Sequence, residues 1–104
     1  MEGFVKVAGA GDIPKGQIKS FEVGANRVAV CHTSDGFFAI ADECSHDYAP
    51  ISDGELRQHE VVCLRHGARF NVKTGEVTGP PAVVGLDTYE VKVEDGDVYV
   101  ALDQ

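Results

Sequence analysis

Two short Cys/His pairs set the strongest constraint on how this chain can fold. Cys44-Ser45-His46 and Cys63-Leu64-Arg65-His66 stand with 16 residues between them. Each stretch offers one thiolate and one imidazole on a loop that can wrap a metal centre. A fold that uses all four must bring two separate loops to one place. Two matched pairs are what an asymmetric iron–sulfur cluster needs, with thiolates on one iron and imidazoles on the other. Tetrahedral zinc would also accept two Cys and two His. Zinc-finger spacing usually pairs Cys with Cys and His with His, whereas each loop here carries one of each.

Around these loops the pattern is of short β-type runs separated by Gly, Asp and Pro. Phe4 to Ala8 alternates, and Gly9 to Gly16 reads as a loop. Ile18 to Val23 and Arg27 to Cys31 flank Gly24-Ala25-Asn26, a hairpin turn. Phe37 to Ala41, Thr88 to Val93 and Val98 to Leu102 continue the pattern. No stretch carries a capped 3.6-residue apolar period. The expectation is an all-β fold, an antiparallel sandwich or partly open barrel. The segment from about 43 to 70 interrupts the strand pattern and reads as an inserted metal-binding subdomain with two ligand loops. Asn71 to Glu76 returns as a hairpin, and Gly79-Pro80-Pro81-Ala82 reads as a stiff loop.

A length of 104 residues fits one domain, 1–104, with no room for a second catalytic one. No apolar run approaches the ~18 residues that span a bilayer. The first residues lack a signal-peptide pattern, so the expected location is the cytoplasm. Three cysteines exclude a full disulfide framework. In a reducing compartment, Cys beside His points to metal or redox use. A net charge of −8 argues against nucleic acid and anionic membranes as partners. Cys31, on a strand pattern beside His32, reads as a core cysteine, and His59 as a surface residue.

Cys44-x-His46, the 16-residue gap, Cys63-x-x-His66-Gly67, Phe70-Asn71 and Thr74-Gly75 together resemble the Rieske [2Fe–2S] signature. In size the chain is similar to the small Rieske ferredoxins that serve bacterial ring-hydroxylating dioxygenases. The resemblance covers most of the chain, including the Pro80-Pro81 loop and the terminal hairpin. It implies one [2Fe–2S] cluster per chain, with Cys44 and Cys63 on one iron and His46 and His66 on the other. It also implies a monomeric one-electron carrier between a ferredoxin reductase and a terminal oxygenase, with no catalytic residues of its own. Leu64 and Asn71 stand where many relatives have Pro and Asp; neither supplies a ligand. The alternatives are a Rieske-like small subunit of assimilatory nitrite reductase, an accessory ferredoxin of iron–sulfur assembly, and a structural zinc-binding interaction module.

Replacing two thiolates by neutral imidazoles makes the oxidised cluster neutral and easier to reduce, within about −150 to +300 mV. High-potential relatives link the two loops by a disulfide and add Ser and Tyr hydroxyls near the cluster. Arg65 and Ala49 stand at the disulfide positions here, and Ala68 and Phe70 at the hydroxyl positions. The resemblance is therefore to the low-potential type. Gly67 is expected to take a left-handed conformation or permit close backbone approach. Pro80 and Pro81 are expected to cover the cluster. Asp42, Glu43 and Asp47 read as a carboxylate group near the first ligand loop, and Arg65 and Arg69 flank the second. Docking is expected around His46 and His66, against a basic partner surface.

Overall fold

The structure is a computed structural model that describes residues 3–43, 50–63, 67–80 and 84–101. The described strands form three sheets, antiparallel throughout, as the all-β expectation requires. The outer sheet comprises β1 (Phe4–Gly9), β10 (Val91–Glu94) and β11 (Asp97–Ala101), in the order β1-β11-β10. The middle sheet runs β2 (Ile18–Val23), β3 (Asn26–Thr33), β4 (Gly36–Ala41) and β9 (Thr88–Tyr89). The small sheet runs β5 (Glu55–Arg57), β6 (Glu60–Val62), β7 (Arg69–Asn71) and β8 (Val77–Gly79). No described helix is long and apolar enough to cross a membrane.

The middle sheet is buried on both faces, and β3 shows why. Side chains alternate across a strand. Val28 and Val30 join Ile13, Val23, Ala39, Val98 and Val100 in one apolar cluster toward the outer sheet. Ala29 and Cys31 join Ile40, the small-sheet residues Val61 and Phe70, and Val72 just after β7 in the other. A strand covered on both sides reads as a continuous apolar run, here Val28 to Cys31. Cys31 is accordingly a core residue, with no exposed surface.

Local chemistry sets the turns. Val23 pairs with Asn26, leaving a two-residue turn where Gly24 was expected to make one. The run from Thr88 to Val93, expected as one strand, is two. Thr88 and Tyr89 pair with β4, while Val91 onward pairs with β11. Glu90 carries the chain from one layer to the other, and its carbonyl accepts from the Ala101 N–H at 2.9 Å. A period of two persists through such a crossing, because it does not encode which sheet each half joins.

The small sheet has strands of three residues each, too short to stand alone. Val61 lies opposite Phe70 across β6 and β7, and both side chains are fully buried. Burying a side chain such as Phe70 stabilises by about 1.5–3 kcal/mol. The expected hairpin after Asn71 is present as the β7–β8 turn, so pairing in the small sheet runs through Gly79.

Candidate metal centre

The second Cys/His loop begins where β6 ends. The Cys63 N–H donates to the Ala68 carbonyl at 2.7 Å, and the Gly67 N–H donates to the Cys63 carbonyl at 3.0 Å. These bonds close the base of the loop immediately before β7. Gly67 has φ +74°, the left-handed region expected of it. A Cβ there would meet no atom within 4 Å, so the requirement for glycine is torsional rather than spatial. Cys63 is a free cysteine, 1% exposed, in one cluster with Ile51, Ala68 and Phe70. Its sulfur is thus held in a wall with little access to water.

The first loop leaves β4 through Asp42 and Glu43 and returns at Pro50, followed by a 3-10 turn over Ile51–Asp53. Asp42 departs from expectation. Read as one of a group of surface carboxylates, it is only 4% exposed. Its Oδ1 accepts from the Ser52 N–H at 2.7 Å and its Oδ2 from the Ser52 hydroxyl at 2.8 Å. Its own N–H donates to the Arg27 carbonyl at 3.0 Å. Charge-assisted bonds of this kind offset the cost of taking a carboxylate out of water. Glu43 remains exposed.

The two loop bases meet through backbone. The Gly54 N–H donates to the Ile51 carbonyl at 2.9 Å, ending the 3-10 turn. A Cβ on Gly54 would lie 2.1 Å from the Val62 carbonyl oxygen, so the turn after the first loop abuts the strand that enters the second. Of the four candidate ligands, Cys63 is described. Cys44, His46 and His66 lie outside the described residues, as do Asp47, Ala49, Arg65 and Pro81. Among the described residues no group of three or more His, Cys, Asp or Glu side chains could hold a metal ion. A free, buried thiol at the base of a closed loop suits a soft metal–sulfide group, which binds thiolate.

The other chemically suggestive residues have structural partners. Burial, and secondarily the charge of Asp42, pushes the Cys31 thiol up to about 12, which keeps it protonated. The His32 Nδ1 donates to the Ile13 carbonyl at 2.7 Å, since a carbonyl can only accept, and its ring stacks on Phe37 at 4.0 Å. His59 is exposed, as expected. Pro80 is also exposed. The segment after Pro80 is anchored again where the Leu86 N–H donates to the Gly75 carbonyl at 2.8 Å. The Asp42–Ser52 pair was not foreseen. Its only trace in the sequence is an Asp before the first loop and a Ser after it.

Residues 3–90 match the family model for the Rieske [2Fe-2S] domain. The chain belongs to the Rieske family. Its cofactor is one [2Fe–2S] cluster. Over 98 residues it is 40% identical to the ferredoxin component of biphenyl 2,3-dioxygenase from Rhodococcus jostii RHA1, covering 94% of this chain and 92% of that one. Over 99 residues it is 40% identical to ferredoxin CarAc of Metapseudomonas resinovorans, with the same coverage of 94% and 92%. Among solved structures, a complex of reduced oxygenase and oxidized ferredoxin in carbazole 1,9a-dioxygenase contains a chain 38% identical. It superposes with a TM-score of 0.92 over 100% of this chain and 97% of that one. The ferredoxin of carbazole 1,9a-dioxygenase from Nocardioides aromaticivorans IC177 is 32% identical, with a TM-score of 0.91 over 94% of this Rieske chain and 96% of that one.

Proposed function

We propose that this chain is a one-electron carrier that takes electrons from a ferredoxin reductase and passes them to a terminal oxygenase. The observation that carries the reading is a near full-length match to ferredoxin components of dioxygenases. The joined bases of the two Cys/His loops, with Cys63 buried at one of them, are consistent with it. Cys44 and Cys63 ligate one iron, and His46 and His66 the other. When bound, the cluster supplies reversible one-electron chemistry toward the lower end of about −150 to +300 mV.

The chain's own residues hold, shield and present that group. Ile51, Ala68 and Phe70 share the buried apolar cluster that contains Cys63, whose 1% exposure keeps water from its sulfur. Ala68 and Phe70 offer no hydroxyl, and Arg65 and Ala49 form no disulfide, which keeps the potential low. No side chain is asked for acid, base or nucleophile, so the chain is not itself an enzyme. Residues 1–104 form one domain, in which about 43–70 make the cluster-binding unit. The carrier works as a monomer in the cytoplasm, with neither nucleic acid nor membrane as partner. Glu43 and Asp47 face a basic partner surface around His46 and His66.

Anaerobic purification tests the core of the reading. About two irons and two labile sulfides per chain are expected. One zinc and no sulfide would overturn it. For the partners, reduction by the cognate reductase should slow as salt shortens the reach of steering to about 8 Å. Asp47→Asn should slow it more than Asp95→Asn. A rate indifferent to salt and to both changes would remove the basic docking surface.

A further inference from the structure

We propose that Asp42 and Ser52 are positioning residues for the cluster, acting as a clamp that fixes the first ligand loop against the second. The inference rests on the cluster reading above. Asp42 and Thr33 are the buried polar residues among those described, and Asp42 is the one that carries a charge. It stands two positions before Cys44 in the chain. Both oxygens of its carboxylate are spent on one residue, Ser52, ten positions later. No ion pair among the described residues includes Asp42. Two bonds to a single residue across a loop fix both the separation and the relative orientation of the loop's two ends.

The far side of the clamp leads directly to the second loop. Ser52 sits in the 3-10 turn between Ile51 and Asp53. Ile51 is fully buried in the cluster that contains Cys63 and Ala68. Gly54 closes the turn against the Val62 carbonyl, one residue before Cys63. On the near side, the Asp42 N–H is tied to Arg27 on β3, in the middle sheet. The clamp therefore connects the middle sheet, the first loop and the base of the second in one chain of contacts. A general buried hydrogen bond would serve stability alone. This one brackets the first Cys/His pair and joins the two ends of its loop beside the base of the second.

The test is the rate of iron release from the cluster-loaded protein to a chelator, followed by loss of visible absorbance below the unfolding temperature. Asp42→Ala and Ser52→Ala should each speed release on the order of tenfold, as expected for loss of a charged hydrogen bond. Ser52→Thr keeps the hydroxyl and should restore a rate close to wild type. Thr33→Val is the control. The Thr33 hydroxyl bonds Gly36 and Asp35 in the β3–β4 turn, so its loss should lower the unfolding temperature without changing iron release. Should Asp42→Ala fail to fold, Ser52→Ala decides, because the Ser52 N–H still meets the carboxylate. Release no faster than wild type in Ser52→Ala, or equally fast in Thr33→Val, would overturn the clamp. Wild-type protein that holds no iron and sulfide would instead overturn the cluster reading.

Discussion

The middle sheet and the small sheet are specified in opposite ways. In the middle sheet, β3 has eight residues and β2 and β4 six each, so pairing and alternation run long enough to set register. Changing one exposed residue there leaves the pattern intact. The small sheet offers only three residues per strand. It is held by Val61, Phe70 and Val72 packing on the middle sheet, and by single features at its loops: the Asp42–Ser52 bonds, Gly54 against Val62, and the left-handed Gly67. A sandwich of longer strands carries the structural burden, and the proposed cluster site falls to a small, individually specified unit.

The sharpest way to break this contrast is to compare Cys31 with Cys63. Both are free, both are buried, and both sit in the same apolar cluster, one on each side of the interface. Cys63→Ser should abolish the cluster or leave it badly destabilised. Cys31→Ala should retain about two irons and two sulfides per chain and cost about 1 kcal/mol for the missing sulfur. Iron and labile sulfide analysis beside a denaturant titration reads both. Cluster loss on changing Cys31 would show that the middle sheet supplies a ligand, and the division of labour would fail.

That contrast also explains what the sequence made legible. The strands of the outer and middle sheets follow from alternating apolar residues and from turn residues such as Gly24. The role of Cys31 follows from its place in an apolar run. The split at Glu90 does not follow, because a change of sheet leaves the alternation undisturbed. β5 was missed because Glu55-Leu56-Arg57 has one apolar residue and no period to detect. Asp42 was misjudged for a different reason. Carboxylates are usually exposed, and only the fold brings Ser52 close enough to turn this one inward. Gly67 was read correctly because a glycine directly after a Cys/His pair has a local, torsional reason to be there.

A second comparison sharpens the difference in tolerance. Gly54 and Gly11 both have negative φ, so an added methyl tests space alone. At Gly54 the Cβ would lie 2.1 Å from the Val62 carbonyl oxygen, which is backbone and has little room to yield. At Gly11, in the 3-10 turn after β1, nothing lies within 4 Å. Gly54→Ala should destabilise by about 2–3 kcal/mol through overpacking. Gly11→Ala should be neutral, or stabilise by up to about 1 kcal/mol by reducing the freedom of the unfolded chain. The midpoint of urea unfolding measures both. Equal midpoints would mean that the two loop bases are not locked together as the backbone contact implies.

The smallest expected effect lies at the one described ion pair that ties the two sheets at their turns. Lys73, in the β7–β8 turn, donates to the Asp35 carboxylate in the β3–β4 turn. Its ammonium also lies 5.8 Å from the centre of the Phe38 ring. The Lys73 hydrogen bond, followed by its charge, holds the Asp35 carboxyl below the ordinary 3.8 of an aspartate. A carboxyl lowered in the folded state binds its proton more readily in the unfolded chain. Its contribution is therefore present above the unfolded value and is lost as pH falls through the folded one. Both side chains are exposed, so water and salt screen the pair and its effect should be slight. Asp35→Asn should be a little less stable than wild type at neutral pH and low salt. The gap should close as pH falls through the lowered folded-state value of Asp35, where the wild-type carboxyl is also protonated, and should narrow in high salt. Urea midpoints across pH and salt give the reading. A gap that persists at low pH would mean that Asp35 acts through turn geometry, and that apolar packing alone holds the small sheet to the middle one.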